Sequence, residues 1–134
     1  MLVLDNSVII KWFTREKGRD RVIEYRNQFL KGEIDIALSD LILYEITNVL
    51  RYNPNFDKND VMDAMRSIIG LGVQILVPTT RILNIAIDFS FTHDITIYDA
   101  VYVALAKELN YDFVTADRKL FEKIEDLAFV KLIE

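Results

Sequence analysis

The chain has 134 residues, 51% of them hydrophobic, with four glycines, two prolines and no cysteine. That length fits one domain over residues 1–134, able to bury roughly two-thirds of its unfolded surface, with no long disordered tail. The absence of cysteine excludes disulfide scaffolds, thiolate zinc sites and cysteine nucleophiles, while a net charge of −5 argues against a broadly basic nucleic-acid binder but not against a nucleic-acid enzyme whose acids hold cations.

The continuously apolar run Leu2-Val3-Leu4 predicts a buried strand at the very start, leaving no basic region or cleavage site for a secretory signal. Residues 18–31 predict a helix with Val22, Ile23, Phe29 and Leu30 among its apolar positions. Ile36-Ala37-Leu38 is a second short strand, and Ser39 or Asp40 can cap the helix that follows to Arg51. Asn53-Pro54-Asn55 reads as a loop, and residues 57–69 as another amphipathic helix. Residues 73–77 form a third strand ended by Pro78, after which Thr79 or Thr80 caps a helix to Phe91. The stretch 68–77 is the longest nearly apolar one, but it holds Gly70, Gly72 and Gln74 and is too short to span a bilayer. A soluble cytoplasmic protein with no membrane segment is expected.

Residues 92–96 form a short connection to a helix over 97–109, followed by a strand at 113–115, a short helix at 118–124 and a terminal strand at 129–133. Strands alternating with helices imply βαβ crossovers, so the expected fold is α/β: three layers, with a central, mostly parallel five-stranded sheet covered on both faces. Ligands in such sheets bind beyond the carboxyl ends of the strands, near the point where strand order reverses.

Asp5 and Asp117 fall just after such strand ends, and Glu45 and Asp99 lie on helices beside apolar segments. Three of the four have ordinary explanations. Asp5-Asn6-Ser7 can be turn chemistry, Asp99 can be the last residue of a T-x-x-D capping box begun by Thr96, and Asp117 can cap the helix at 118. Glu45 resists such a reading, because it is mid-helix and its neighbours one turn away are Leu41, Ile42, Asn48 and Val49. Burial beside a metal or a hydrogen-bonding network accounts for it better, with Asn48 placed to orient it or touch substrate. No basic residue is an obvious partner for all four acids, and a hard divalent cation would fit them.

His93 is the only histidine, which removes histidine relays and multi-histidine zinc sites; it reads as a surface residue. Trp12 and Phe13 can stack a base, but packing against the sheet is the preferred reading. Tyr98 and Tyr102 share a helical face and are expected in the core or an interface. Lys11, Arg118 and Lys119 are the candidate phosphate contacts, the last two favoured because they follow Asp117 directly.

The residues around each acid resemble the motifs of PIN-domain ribonucleases, in particular the VapC-type toxins of toxin–antitoxin pairs. The likeness rests on four segments in order: Val3-Leu4-Asp5-Asn6-Ser7, Leu43-Tyr44-Glu45-Ile46-Thr47-Asn48-Val49-Leu50, Thr96-Ile97-Tyr98-Asp99-Ala100-Val101-Tyr102-Val103-Ala104-Leu105-Ala106, and Val114-Thr115-Ala116-Asp117-Arg118-Lys119-Leu120. It covers essentially the whole chain. The resemblance implies that Asp5, Glu45, Asp99 and Asp117 are catalytic and metal-holding, with Ser7, Asn48 and Thr115 as hydrogen-bonding support. It implies one or two Mg²⁺ or Mn²⁺ ions, and hydrolysis of single-stranded or looped RNA that leaves a 5′-phosphate and a 3′-hydroxyl. Some relatives carry a further acid shortly after Asp117, whereas Lys119, Leu120 and Phe121 supply none here.

The implied partners are RNA, a cognate antitoxin docking near Trp12, Phe13 and the helix over 40–51, and a second copy in a homodimer. A PIN-type module serving only protein interaction is the alternative. A receiver-like Mg²⁺-binding signalling domain fits poorly, since Asp5-Asn6-Ser7 stands where an acidic pair is needed, and a dehalogenase-type phosphatase would want an acid at Ser7.

Overall fold

Three of the five strands have almost no exposed residue, and that burial on both sides organises the molecule. The computed structural model describes residues 1–134. Its strands are β1 (Leu2–Leu4), β2 (Ile36–Ser39), β3 (Gln74–Leu76), β4 (Asp112–Thr115) and β5 (Val130–Leu132). Its helices are α1 (Asn6–Ile9), α2 (Arg19–Leu30), α3 (Leu41–Arg51), α4 (Lys58–Gly70), α5 (Thr80–His93), α6 (Ile97–Leu109) and α7 (Arg118–Ile124). A 3₁₀ turn, Ile10–Trp12, continues α1. All strand pairings are parallel, in the order β3-β2-β1-β4-β5. The sheet is therefore wholly, not mostly, parallel.

Successive strand residues point to opposite faces. Val3 and Leu4, all of β2, and Phe113 to Thr115 are buried, so both faces of the central strands are covered and the fold has three layers. α6 packs across β1, β2 and β4, and α5 lies on α6. Seven consecutive α6 residues, Ala100 to Ala106, are buried, which explains why this helix lacks a polar stripe. α3 packs against α1 and α4, and α7 against β4 and β5.

The helix starts follow local chemistry. The Thr79 hydroxyl accepts from the Ile82 amide, Thr96 from the Asp99 amide, and Asp57 and Asp60 form a reciprocal capping box. At α3 the choice between the two expected caps falls on Ser39, whose Oγ accepts from the Leu41 amide at 3.3 Å, while Asp40 makes no side-chain cap. After β1, where the sequence offers only turn chemistry at Asp5-Asn6-Ser7, the chain forms α1 and its 3₁₀ turn. No helix is long and apolar enough to cross a membrane.

β1 is central, with β2 and β3 on one side and β4 and β5 on the other. Strand order therefore reverses between β1 and β4. Asp5 leaves the end of β1, and Asp117 lies two residues beyond β4. The acids sit at the expected switch point.

Candidate active site

Asp5 is built in from three sides. Its backbone is extended (φ −94°), so its carboxylate turns back to cap α1 and accepts from the Val8 amide at 3.3 Å. Ser7 Oγ donates to Oδ1 at 2.5 Å, and Thr115 Oγ1 donates to Oδ2 at 2.6 Å. Both hydroxyls also accept backbone protons, Ser7 Oγ from the Ala116 amide across the switch point at 2.8 Å and Thr115 Oγ1 locally from the Asp117 amide at 3.1 Å. One carboxylate and two hydroxyls thereby stitch the end of β1 to the end of β4. Ser7 and Thr115 lie where the sequence places them.

Burial dominates the electrostatics of Asp5. Only 5% exposed, its carboxyl is pushed up from 3.8 to about 6; the hydrogen bonds from Ser7, Thr115 and Val8 pull the other way, and the charge of Asp99 adds to the rise. Glu45, on α3, is half-buried and also raised, by burial first and by Asp99 second, against the Tyr102 hydrogen bond. Asp99, in the first turn of α6, is raised by burial and then by the charge of Asp117, against the Thr96 hydroxyl. None of the charges acting on these three carboxyls is positive. Asp117 is exposed and caps α7 through the Leu120 amide at 3.1 Å. Asp99 thus stands within electrostatic reach of the other three acids.

Tyr102 is the site residue that sequence reading misses. It is 1% exposed, its ring stacks on Phe113 of β4 with centroids 6.4 Å apart, and its hydroxyl donates to Glu45 Oε1. Burial beside three acids pushes its phenol strongly upward, so it stays a donor. Its position one helical turn after Asp99 was the available signal. Of the two tyrosines expected in the core or an interface, Tyr102 is in the core and Tyr98 is 65% exposed. The apolar setting of Glu45 is also one-sided: Ile42 is buried, while Val49 and Asn48 are exposed. Asn48 shares a groove with Glu45 and Asp99 but makes no hydrogen bond to Glu45.

The basic residues separate. Lys11 is buried, and its ammonium donates to the Lys17 carbonyl at 2.7 Å and lies 3.9 Å from Glu16. It is tied down near the C-terminus and does not present a free cation to a phosphate. Arg118 pairs with Glu134. Lys119 is exposed without an ion pair, beside Asp117. Trp12 is buried with its indole N–H donated to the Val22 carbonyl at 2.9 Å, as the packing reading expects. His93 is no plain surface residue: its side chain is 12% exposed, packs on Phe89 and lies 3.3 Å from Asp126.

The chain matches the PIN domain family over residues 2–127. It belongs to that family. Membership sets aside a receiver-like or dehalogenase-type domain. No curated protein matches the sequence. Among solved structures, this PIN domain resembles a toxin–antitoxin complex from Klebsiella pneumoniae, at 15% identity and a TM-score of 0.72, covering 98% of this chain and 96% of that one. It also resembles FitAcB from Neisseria gonorrhoeae at 22% identity and 0.72, covering 100% and 97%. A third is VapC20 from Mycobacterium tuberculosis, described as a sarcin-ricin loop cleaving toxin, at 13% identity and 0.74, covering 100% of both chains. At these identities the likeness is one of fold.

The donor set fits a hard divalent cation: oxygen ligands only, with like charges raising one another and no counter-ion among them. No three of the acids form a preformed cage. That suits Mg²⁺ better than a rigid structural site, since Mg²⁺ is commonly held by one or two carboxylates, with waters and substrate phosphate completing its shell.

Proposed function

We propose that this PIN domain is a Mg²⁺- or Mn²⁺-dependent endoribonuclease acting on single-stranded or looped RNA, and the toxin of a toxin–antitoxin pair. One observation carries the chemistry: Asp5, Glu45 and Asp99 gather at one strand-order switch point, all at least half-buried, and none is salt-bridged to a cation. Such a cluster holds its charge at neutral pH most easily when a cation arrives with the substrate.

Asp5, fixed by Ser7, Thr115 and the Val8 amide, is the rigid anchor of the site. Glu45 is held from behind by Tyr102, which leaves its second oxygen free. Asp99 stands between them, and Asp117, at the rim, faces the approaching strand with Lys119 beside it. A divalent ion bound there supplies acidity to a water and screens charge growing on the phosphate. The acids orient the ion and the attacking water, and no side chain forms a covalent intermediate. The scissile bond is then the one from phosphorus to the 3′ oxygen, leaving a 5′-phosphate.

The neighbours named for toxin–antitoxin complexes support a cognate antitoxin as partner. A homodimer and a cytoplasmic location belong to the same reading. The test is cleavage of single-stranded RNA with Mn²⁺, with excess chelator, and by Asp5→Asn and Asp99→Asn. Loss in all three altered cases, with 5′-phosphate ends in the first, is expected. Undiminished cleavage in chelator, or by both variants, would refute the mechanism.

A further inference from the structure

We infer that the groove beside Glu45 and Asp99 is a base-binding subsite, in which the rings of Tyr44 and Tyr98 stack an unpaired nucleobase of the RNA next to the phosphate handled by the acids. This rests on the proposed ribonuclease function and names how the strand is gripped. Tyr44 projects from α3 and Tyr98 from the first turn of α6, the same two elements that carry Glu45 and Asp99. All four line one groove of about 480 Å³, together with Asn48 and Thr96. Tyr44 is 71% exposed and Tyr98 65% exposed. Neither ring is spent on the core, and both stand directly beside the acids.

Charge favours such a subsite. The chain carries a formal net charge of −5, the site itself is acidic, Lys11 is tied down and Arg118 is paired. Of the candidate phosphate contacts only Lys119 is free, so phosphate attraction near the acids is limited, and an interaction that does not depend on charge adds to it. Base–aromatic stacking is such an interaction, and it tolerates any sequence because every base has a π face. Duplex bases are already stacked and cannot enter, so the subsite selects unpaired RNA.

The groove also leads to cations. Tyr44 and Asn48 are shared with a larger neighbouring groove, between α3 and α4, that includes Arg51 and Lys58. A strand leaving the acids over Tyr44 therefore meets positive charge one step further along, and the Asn48 amide can pair with a base edge on the way. Continuity with the acids favours RNA over a protein segment as the occupant.

The test compares Tyr44→Leu and Tyr98→Leu with Tyr44→Phe and Tyr98→Phe, in an Asp5→Asn background with Mn²⁺ so that the strand stays intact. The probe is a short single-stranded RNA containing 2-aminopurine, whose fluorescence falls on stacking. Phenylalanine should keep binding within about twofold, whereas leucine should weaken it about 5- to 150-fold and reduce the quenching. Thermal melting confirms that the exposed substitutions leave the fold intact. The inference is overturned if leucine binds like tyrosine, if phenylalanine loses as much as leucine, if no quenching accompanies binding, or if duplex RNA binds equally well. Leucine variants that keep RNA but lose a partner protein would mark the groove as a protein-docking face and overturn it too. With Asp5 intact, metal-dependent cleavage that the leucine changes leave unaltered refutes the stacking alone, whereas no RNA binding and no cleavage by the unsubstituted protein refutes the ribonuclease reading with it.

Discussion

Asp5→Asn should stabilise the metal-free protein at alkaline pH while abolishing its activity. The Asp5 carboxyl rises from 3.8 to about 6 because it is buried among β1, α1 and β4. A carboxyl with a raised folded pKa binds its proton more tightly when folded. Its stabilising contribution is complete below 3.8 and is lost as pH climbs through about 6. At about 1.4 kcal/mol per pH unit, ionised Asp5 then opposes folding by about 3 kcal/mol. Asparagine keeps the shape without the charge, but its amide nitrogen meets a hydroxyl that now donates, Ser7 or Thr115, and remaking that contact costs about 1 kcal/mol. The net gain in chelator at pH 8 is about 1–2 kcal/mol, or roughly 3–8 °C in Tm for a chain of this size. At pH 4 the gain should vanish or reverse by about 1 kcal/mol, since the native carboxyl is protonated there. Divalent metal at a hundredfold excess over its Kd should add about 2.7 kcal/mol to the unsubstituted protein alone, erasing the variant's advantage. Urea or thermal unfolding at the two pH values, with and without Mn²⁺, measures all of this. A variant less stable at pH 8 in chelator, or one whose relative stability is the same at both pH values, would refute the account of a buried charge that strains the fold.

Tyr102→Phe removes the donor to Glu45 but keeps the ring on Phe113, so Mn²⁺ affinity by calorimetry should fall about 10- to 100-fold while Tm changes little; unchanged affinity would show that the phenol does not position Glu45. Thr115→Val deletes a hydroxyl that donates to Asp5 and accepts from the Asp117 amide, and should cost about 1–3 kcal/mol in urea unfolding. Because burial raises Asp5, Glu45 and Asp99 together, protons should compete with metal, and Mn²⁺ affinity should rise with pH through about 6. An affinity that does not change from pH 5 to 7 would count against these acids as ligands. Lys11→Met should leave RNA affinity unchanged, since its ammonium is committed to the Lys17 carbonyl.

The fold was legible because strands buried on both faces leave continuous apolar runs. Ile36 to Leu38 and Phe113 to Thr115 are readable without any periodicity, and the Thr79 and Thr96 caps mark helix starts by type and position. α1 was not legible, since four residues, Asn6–Ile9, are too few to show a helical repeat. The four acids were found through their places after strands or inside apolar segments. What the chain hid is long-range. Lys11 looks like a free cation until the Lys17 carbonyl and Glu16 fold back on it. Tyr102 looks like a core aromatic until its hydroxyl meets Glu45, 57 positions away. Helical spacing placed Tyr98 with Tyr102, but Tyr98 sits in the first turn of α6, outside the run Ala100 to Ala106 that the sheet and α5 enclose.

The acids grade from core to rim, and under the proposed ribonuclease function that gradient gives them different work. Asp5 is 5% exposed and makes three hydrogen bonds, Glu45 and Asp99 are half-buried with one hydroxyl neighbour each, and Asp117 is exposed and occupied in capping α7. The deepest carboxylate is the one whose charge is hardest to keep and whose position is best fixed, so it gains most from a cation and loses least entropy in holding one. The shallowest stays in contact with water while its cap to the Leu120 amide holds it at the rim. The charge of Asp99 bears on Asp5 and Glu45, and that of Asp117 bears on Asp99. The Thr115 bond to Asp5 and the Ala116 bond to Ser7 join the end of β1 to the end of β4, so the contacts that tie the two strand ends together at the switch point also keep Asp5 in place.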